Sequence, residues 1–132
     1  MQLLTDINYS PVLDFDEDDF IMPGPGALDG INKCFGLHLN NDKPQELKAA
    51  AVIIAEMVKD QEGFFEHFGQ QPVTLFGRRL HLIDCQNLFC ETDKYARVAH
   101  PTFNVRNKTR IKQTLKPTGP LPKPFFPPKW GI

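Results

Sequence analysis

Apolar residues recur at helical spacing through much of the first hundred positions, and proline or glycine marks most breaks between runs. Over residues 44 to 68, Leu47, Ala50, Ala51, Ile54, Met57, Val58, Phe65 and Phe68 fall on one side of a helix. Pro44 suits the first turn, where a missing N–H costs nothing, with Asn41 or Asp42 close by as a cap. Gly63 weakens the final turns. Upstream, "ALDGINKCF" supports a short helix ending at Gly36, after the tight connection "PGPG". "MQLLTDINYS" reads as the last turns of a helix stopped ahead of Pro11, since the residue before a proline is pushed out of the α region. A domain opening in mid-helix suggests a fragment of a longer protein, or one completed by a partner chain. "VLDFDEDDFIM" alternates apolar and acidic residues and is too charged for a central strand, so an extended loop is expected. "QQPVTLFGRRL" is a loop or short hairpin.

The stretch "LHLIDCQNLFCETDKYARV", Leu80 to Val98, holds no Gly or Pro and reads as one helix. Leu82, Cys85, Phe89 and Ala96 share an apolar stripe that suits a core. Asp84, Asn87, Glu91 and Lys94, spaced by three, four and three, form a second, polar stripe. This ladder is either a solvated face or the wall of a site. Gln86 and Asn87 favour a site, because amides are fixed hydrogen-bonding groups rather than solubilising charges. Tyr95 at its edge offers a ring for stacking.

Composition changes the picture in the last third. Residues 1 to 93 carry all 16 acidic side chains against 6 basic ones, whereas residues 94 to 132 carry 9 basic side chains and no acid. A basic tail on an acidic body points to nucleic acid as the tail's partner, with Arg106, Lys108 and Arg110 as candidate contacts. The alternative is that the tail neutralises an acidic body. Six prolines between 117 and 128 forbid regular structure there, so an extended arm is expected. Its Phe125, Phe126 and Trp130 call for packing on the body or on a partner. No apolar run approaches the ~20 residues that span a bilayer, and no basic segment precedes a secretory-type apolar stretch. Three cysteines without CxxC spacing fit a reduced, intracellular compartment (cytoplasm or nucleus). The four scattered histidines give no metal-ligand spacing, and neither a metal nor a cofactor is expected.

Two further segments carry candidate chemistry. Gly24 and Gly26, ahead of a helix, let backbone N–H groups approach a phosphate, or serve simply as turn and cap. The acidic loop of Asp14, Asp16, Glu17, Asp18 and Asp19 is a solvated loop, or else holds a divalent metal or an amine or supplies a carboxylate for chemistry. Cys85 and Cys90 read as packing residues rather than nucleophiles.

Taken together, "TDINYSPVLDFDEDDF", "GPGALDGINKCFG" and "LIDCQNLFCETDKYARV" resemble the α-glutamyl/putrescinyl-thymine pyrophosphorylases, or amino acid:DNA transferases. Related sequences are labelled the helical domain of a 5-hydroxymethyluracil DNA kinase. The resemblance covers about residues 1 to 98 and is most specific in D-x-Q-N-L-x-C-E-x-D-K-Y, Asp84 to Tyr95. It implies a helix-hairpin-helix, DNA-glycosylase-like fold, here lacking its N-terminal part. It also implies that an amine displaces pyrophosphate from an activated 5-hydroxymethyl pyrimidine in DNA. Asp16, Asp84 and Glu91 become the candidate catalytic residues. Gly24, Gly26, Gln86, Asn87, Asp93, Lys94, Tyr95 and Arg97 become candidate contacts to substrate or DNA.

The sequence thus leads to a mainly α protein with a helical glycosylase-like half-domain over residues 1–100 and a basic proline-rich arm over 101–132. Its expected partners are DNA bearing a modified pyrimidine, a small amine (an amino acid or polyamine) and a second chain supplying the missing helix-hairpin-helix part. The alternative is a non-catalytic DNA-binding or adaptor domain that accompanies a modification enzyme. No phosphate loop of the G-x-x-x-x-G-K-S/T type occurs, so the chain is not a kinase by itself.

Overall fold

The computed structural model describes residues 2–103 and 116–132. Arg106, Lys108 and Arg110 lie outside the described residues. The protein is mainly α-helical: α1 (Gln2–Asn8), α2 (Pro25–Phe35), α3 (Pro44–Lys59), α4 (Gln61–His67) and α5 (Leu82–Ala99), with 3-10 turns at Pro101–Phe103 and Pro128–Trp130. Among the described residues no strand forms, and β pairing is confined to an isolated bridge between Leu75 and Arg78. No helix there is long and apolar enough to cross a membrane. The chain divides into two compact units, Met1–Asp16 with Thr109–Ile132, and Glu17–Lys108.

The larger unit is built on α2, α3 and α5. Its core joins Ala27, Leu28 and Ile31 of α2, Ala50, Ile54 and Val58 of α3, and Leu82, Cys85 and Phe89 of α5, with Leu80. The apolar stripe of α5 is buried along its length, Ala96 included. Helix α2 begins at Pro25 behind an extended Gly24 and ends at Gly36, whose φ of 63° lets its N–H turn back to the Asn32 carbonyl.

Gly30 sets the distance between α2 and α5. A Cβ there would overlap the Phe89 carbonyl group, and one turn earlier a Cβ on Gly26 would stand 3.3 Å from Cys90 Sγ. The two backbones therefore meet at Gly30. Glycine inside a helix costs ~1 kcal/mol relative to alanine. Complete burial of Leu28, Ile31 and Ile54 contributes ~1.5–3 kcal/mol each and outweighs that cost.

The run from 44 to 68, expected as one helix, is two. The break falls at Asp60, with φ −104° and ψ 15°. There the Gln61 amide turns inward and donates from Nε2 to the carbonyls of Val58 (2.7 Å) and Leu80 (3.0 Å), while Leu80 N–H donates to Gln61 Oε1 (3.0 Å). Arg79 Nη2 donates to the same Val58 carbonyl at 2.6 Å. The cap of α3 is Lys43, not Asn41 or Asp42. The Glu46 carboxylate reaches back to the Asn40 N–H (2.6 Å) and to Lys43 Nζ (2.9 Å), which leaves Asn41 and Asp42 in the turn outside.

In the smaller unit α1 ends at the buried Asn8, whose side chain pairs with both backbone groups of Phe15 at 3.1 and 3.3 Å. Lys129 donates to Asn8 Oδ1 (2.6 Å) and to the Phe15 carbonyl (3.2 Å). Trp130 meets Tyr9 edge-on at 5.7 Å between ring centroids, and Phe126 lies 6.4 Å from Trp130. Phe126 and Trp130 of the arm thus join a small cluster, while Phe125 is 81% exposed.

Candidate functional site

Glu17, Asp18, Arg78, His81 and Asp84 of the larger unit gather around the start of α5. Gln61 holds Leu80 in place, and His81 follows as an extended N-cap. Asp84 Oδ2 accepts the His81 N–H at 3.0 Å, and Asp18 Oδ1 accepts the Leu82 N–H at 3.0 Å. The other Asp18 oxygen lies 3.1 Å from His81 Nδ1. Arg78 Nη2 bonds Glu17 Oε2 at 2.6 Å and stands 3.2 Å from His81 Nε2. Three carboxylates therefore surround a helix N-terminus, where unpaired N–H groups and the helix dipole favour negative charge.

Asp84 differs from an ordinary surface acid. Burial raises its pKa and the Glu17 charge adds to the rise, against the lowering effect of the His81 N–H, His81 and Arg78. A carboxylate so placed is a better proton acceptor than a solvated one. Cys85, one residue on, is pushed up to about 11, first by burial and then by the Asp84 and Asp18 charges, so at neutral pH it is an unreactive thiol. Burial also raises Cys90.

The polar ladder changes character along α5. Asp84 is half-buried, whereas Asn87 and Glu91 are exposed and Glu91 pairs with Lys94 one turn on. Gln86 is buried, and no hydrogen-bond partner for its Oε1 occurs among the described residues. Asp93 is buried as well. It takes the Lys33 ammonium from α2, and Arg97 Nε approaches it at 3.3 Å. This ion cluster ties α2 to α5 and occupies the charges of Asp93 and Arg97 internally. Tyr95 is 65% exposed and edges onto His100 at 6.0 Å. Gly24 caps α2, and Gly26 faces Cys90. Asp16 is exposed and belongs to the smaller unit, while Asp84 and Glu91 belong to the larger one.

The structure adds Arg78, expected in a loop or short hairpin, and His81, expected inside the helix from Leu80 and found as its N-cap, and gives Glu17 and Asp18 definite partners. A signal for His81 existed. A polar residue followed three positions later by an acid, ahead of an apolar helix, is the pattern of a helix start.

A family model described as "5-hmdU DNA kinase, helical domain" matches residues 1–105 of the 132. No curated protein and no solved structure matches the chain.

Proposed function

The chain belongs to the family of the 5-hmdU DNA kinase helical domain, which sets it in DNA modification, and on that footing we propose that it acts in hypermodification of a DNA base. In the reaction proposed, an amine displaces pyrophosphate from an activated 5-hydroxymethyl pyrimidine. The observation that carries this reading is Asp84, a half-buried carboxylate of raised pKa at the head of α5. The amine nitrogen bonds to the methylene carbon as the carbon–oxygen bond to pyrophosphate breaks. The electron pair leaves with pyrophosphate, and a proton passes from nitrogen to Asp84.

Glu17 and Asp18 add negative charge that attracts the cationic form of the amine. Arg78 and Lys94 supply positive charge for the leaving group. Gln86 and Asn87 carry amides suited to the edge of a base taken out of the stack. Asp93 and Arg97 act by fixing α5 against α2 rather than by touching substrate. Gly24, Tyr95 and the basic arm contribute contacts to DNA. The test is incubation of Asp84→Asn with DNA carrying 5-(pyrophosphoryloxymethyl)uracil and an amine, followed by mass analysis of the nucleosides. Loss of the amine adduct is expected, and wild-type turnover would overturn the reading.

The exposure of Asn87 and Glu91 favours a second reading, a DNA-binding or adaptor domain that serves a separate 5-hydroxymethyluracil DNA kinase. An adaptor can leave such a stripe in water. Under that reading Asp84→Asn would stimulate the kinase as well as the wild type does.

A further inference from the structure

We propose that the proline-rich arm binds a single DNA strand, with Phe125 stacked on an unpaired base and Lys116 and Lys123 set against the phosphates. The inference deepens the DNA-modification reading and rests on it. Among the described residues, 116–125 make no hydrogen bond, ion pair or ring contact, and all ten are exposed. Phe125 is 81% exposed and Leu121 71%. No other large apolar residue described stands as far into solvent as Phe125.

This free stretch leads into a fixed end. Pro127 is buried, Phe126 lies 6.4 Å from Trp130, and Trp130 meets Tyr9 edge-on at 5.7 Å. Lys129 bonds Asn8 and the Phe15 carbonyl, with its ammonium 5.7 Å from the centroid of the Phe15 ring. Pro122, Pro124 and Pro127 fix their own φ and push Leu121, Lys123 and Phe126 into the extended region. Neighbouring side chains of an extended chain diverge, so with Phe126 turned to the cluster Phe125 is turned away from it. The ring is held in solvent by the anchoring of its neighbours.

Charge, hydrogen bonding and shape together choose the ligand. Residues 116–125 carry Lys116 and Lys123 and no acid, which suits a polyanion. Four of the ten are prolines without an N–H, so the strip offers few donors to base edges or to a β-strand. What remains is a flat apolar ring beside positive charge, the pairing by which proteins hold single strands without reading sequence. In a duplex both faces of a base are covered by its neighbours, whereas an unpaired base leaves a face open to the ring. Enzymes that work on a base take it out of the stack, so unpaired nucleotides accompany the proposed reaction. A chain already stiffened by proline also loses little entropy on binding.

The test uses the full chain with a fluorescein-labelled oligothymidine strand and a duplex of equal length, each titrated by fluorescence anisotropy. Phe125→Ala and Phe125→Leu should weaken binding to the strand by at least about fivefold and to the duplex by less than about twofold. Phe125→Trp should keep the affinity for the strand, and its additional tryptophan emission should be quenched on binding. Because Phe125 is exposed, all three variants should melt with the wild type, so a loss of affinity cannot be blamed on misfolding. Equal losses on strand and duplex, or none on either, would overturn the stacking contact while leaving DNA modification to the amine-transfer assay. A Phe125-dependent hold on the strand in a protein that fails that assay would retain the contact and reject the transfer chemistry. If Phe125→Ala instead released a co-purifying protein and left both DNA affinities unchanged, the arm would be a protein ligand and the proposal would fall.

Discussion

The side-chain amide of Gln61 pairs with both backbone groups of Leu80, nineteen residues away, as a neighbouring strand would. Asn32 does the same for Leu39, both bonds at 2.9 Å. In a chain whose described residues form no sheet, these amides fix loops that would otherwise leave peptide groups unpaired. Gln61→Leu removes donor and acceptor together and strands the Leu80 N–H and C=O. Each unpaired buried group costs ~1–3 kcal/mol, so urea unfolding should show a loss of at least ~2 kcal/mol. A change below ~0.5 kcal/mol would mean that the loop finds other partners.

Gly30, Gly26 and Gly63 should separate cleanly when each is replaced by alanine. At Gly30 the new methyl meets the Phe89 backbone, which cannot rotate aside, so the loss should reach or exceed the top of the ~1–3 kcal/mol range for overpacked cores. At Gly26 it meets the Cys90 side chain, which can shift, and the effect should be smaller. Nothing lies within 4 Å at Gly63 in α4, where alanine should stabilise by ~0.5–1 kcal/mol. Thermal melts of the three variants check the order.

Asp84 predicts a pH dependence. Its folded pKa is raised, chiefly by burial, above the ~3.9 of an unfolded aspartate. Below the unfolded value the carboxyl is protonated in both states and favours neither. As the pH rises between the two values the unfolded chain loses its proton first, and stability is lost until the folded pKa is passed. Wild type should therefore lose stability relative to Asp84→Asn from the ordinary carboxylate range upward, then level off. A difference that is flat with pH, measured by denaturant unfolding, would show that the carboxyl is not desolvated.

Glu91→Gln tests the exposed part of the ladder. The Glu91–Lys94 pair is solvated and spans a single turn, so its loss should change stability by less than ~1 kcal/mol. If Glu91 serves the site, modification of DNA should nevertheless stop. Wild-type modification by the variant would make the stripe beyond Asp84 an ordinary wet face.

The arm should reveal itself through salt. Lys116 and Lys123 are exposed, whereas Lys129 is engaged with Asn8 and Phe15. Each lysine–phosphate contact contributes ~0.9 to the slope of log affinity against log salt. Lys116→Gln with Lys123→Gln should lower the slope by up to ~1.8, equally for all DNA sequences, in a fluorescence anisotropy titration. An unchanged slope would exclude these two lysines as phosphate contacts.

The helices α2, α3 and α5 are legible in the sequence because a helix depends on neighbours three and four residues away. The same period exposes the buried stripe of Leu82, Cys85, Phe89 and Ala96, and Gly36 announces the end of α2. Asp84 is legible too, as the first rung of a polar ladder. The rest depends on partners far along the chain. Helix α3 stops at Asp60 where Gln61 turns to Leu80, so the apolar spacing of Phe65 and Phe68 continues past a break that it cannot report. Asp93, which the family resemblance offers as a contact to substrate or DNA, is buried because Lys33 arrives from α2, sixty positions earlier. Asp84 has its surroundings from Glu17, Arg78 and His81, none of which belongs to the ladder that marks Asp84 in the sequence. Periodicity identifies which residues share a face. Whether that face meets water, a counter-ion or a carboxylate is decided by the elements that pack against it, because desolvation and charge pairing act through space rather than along the chain.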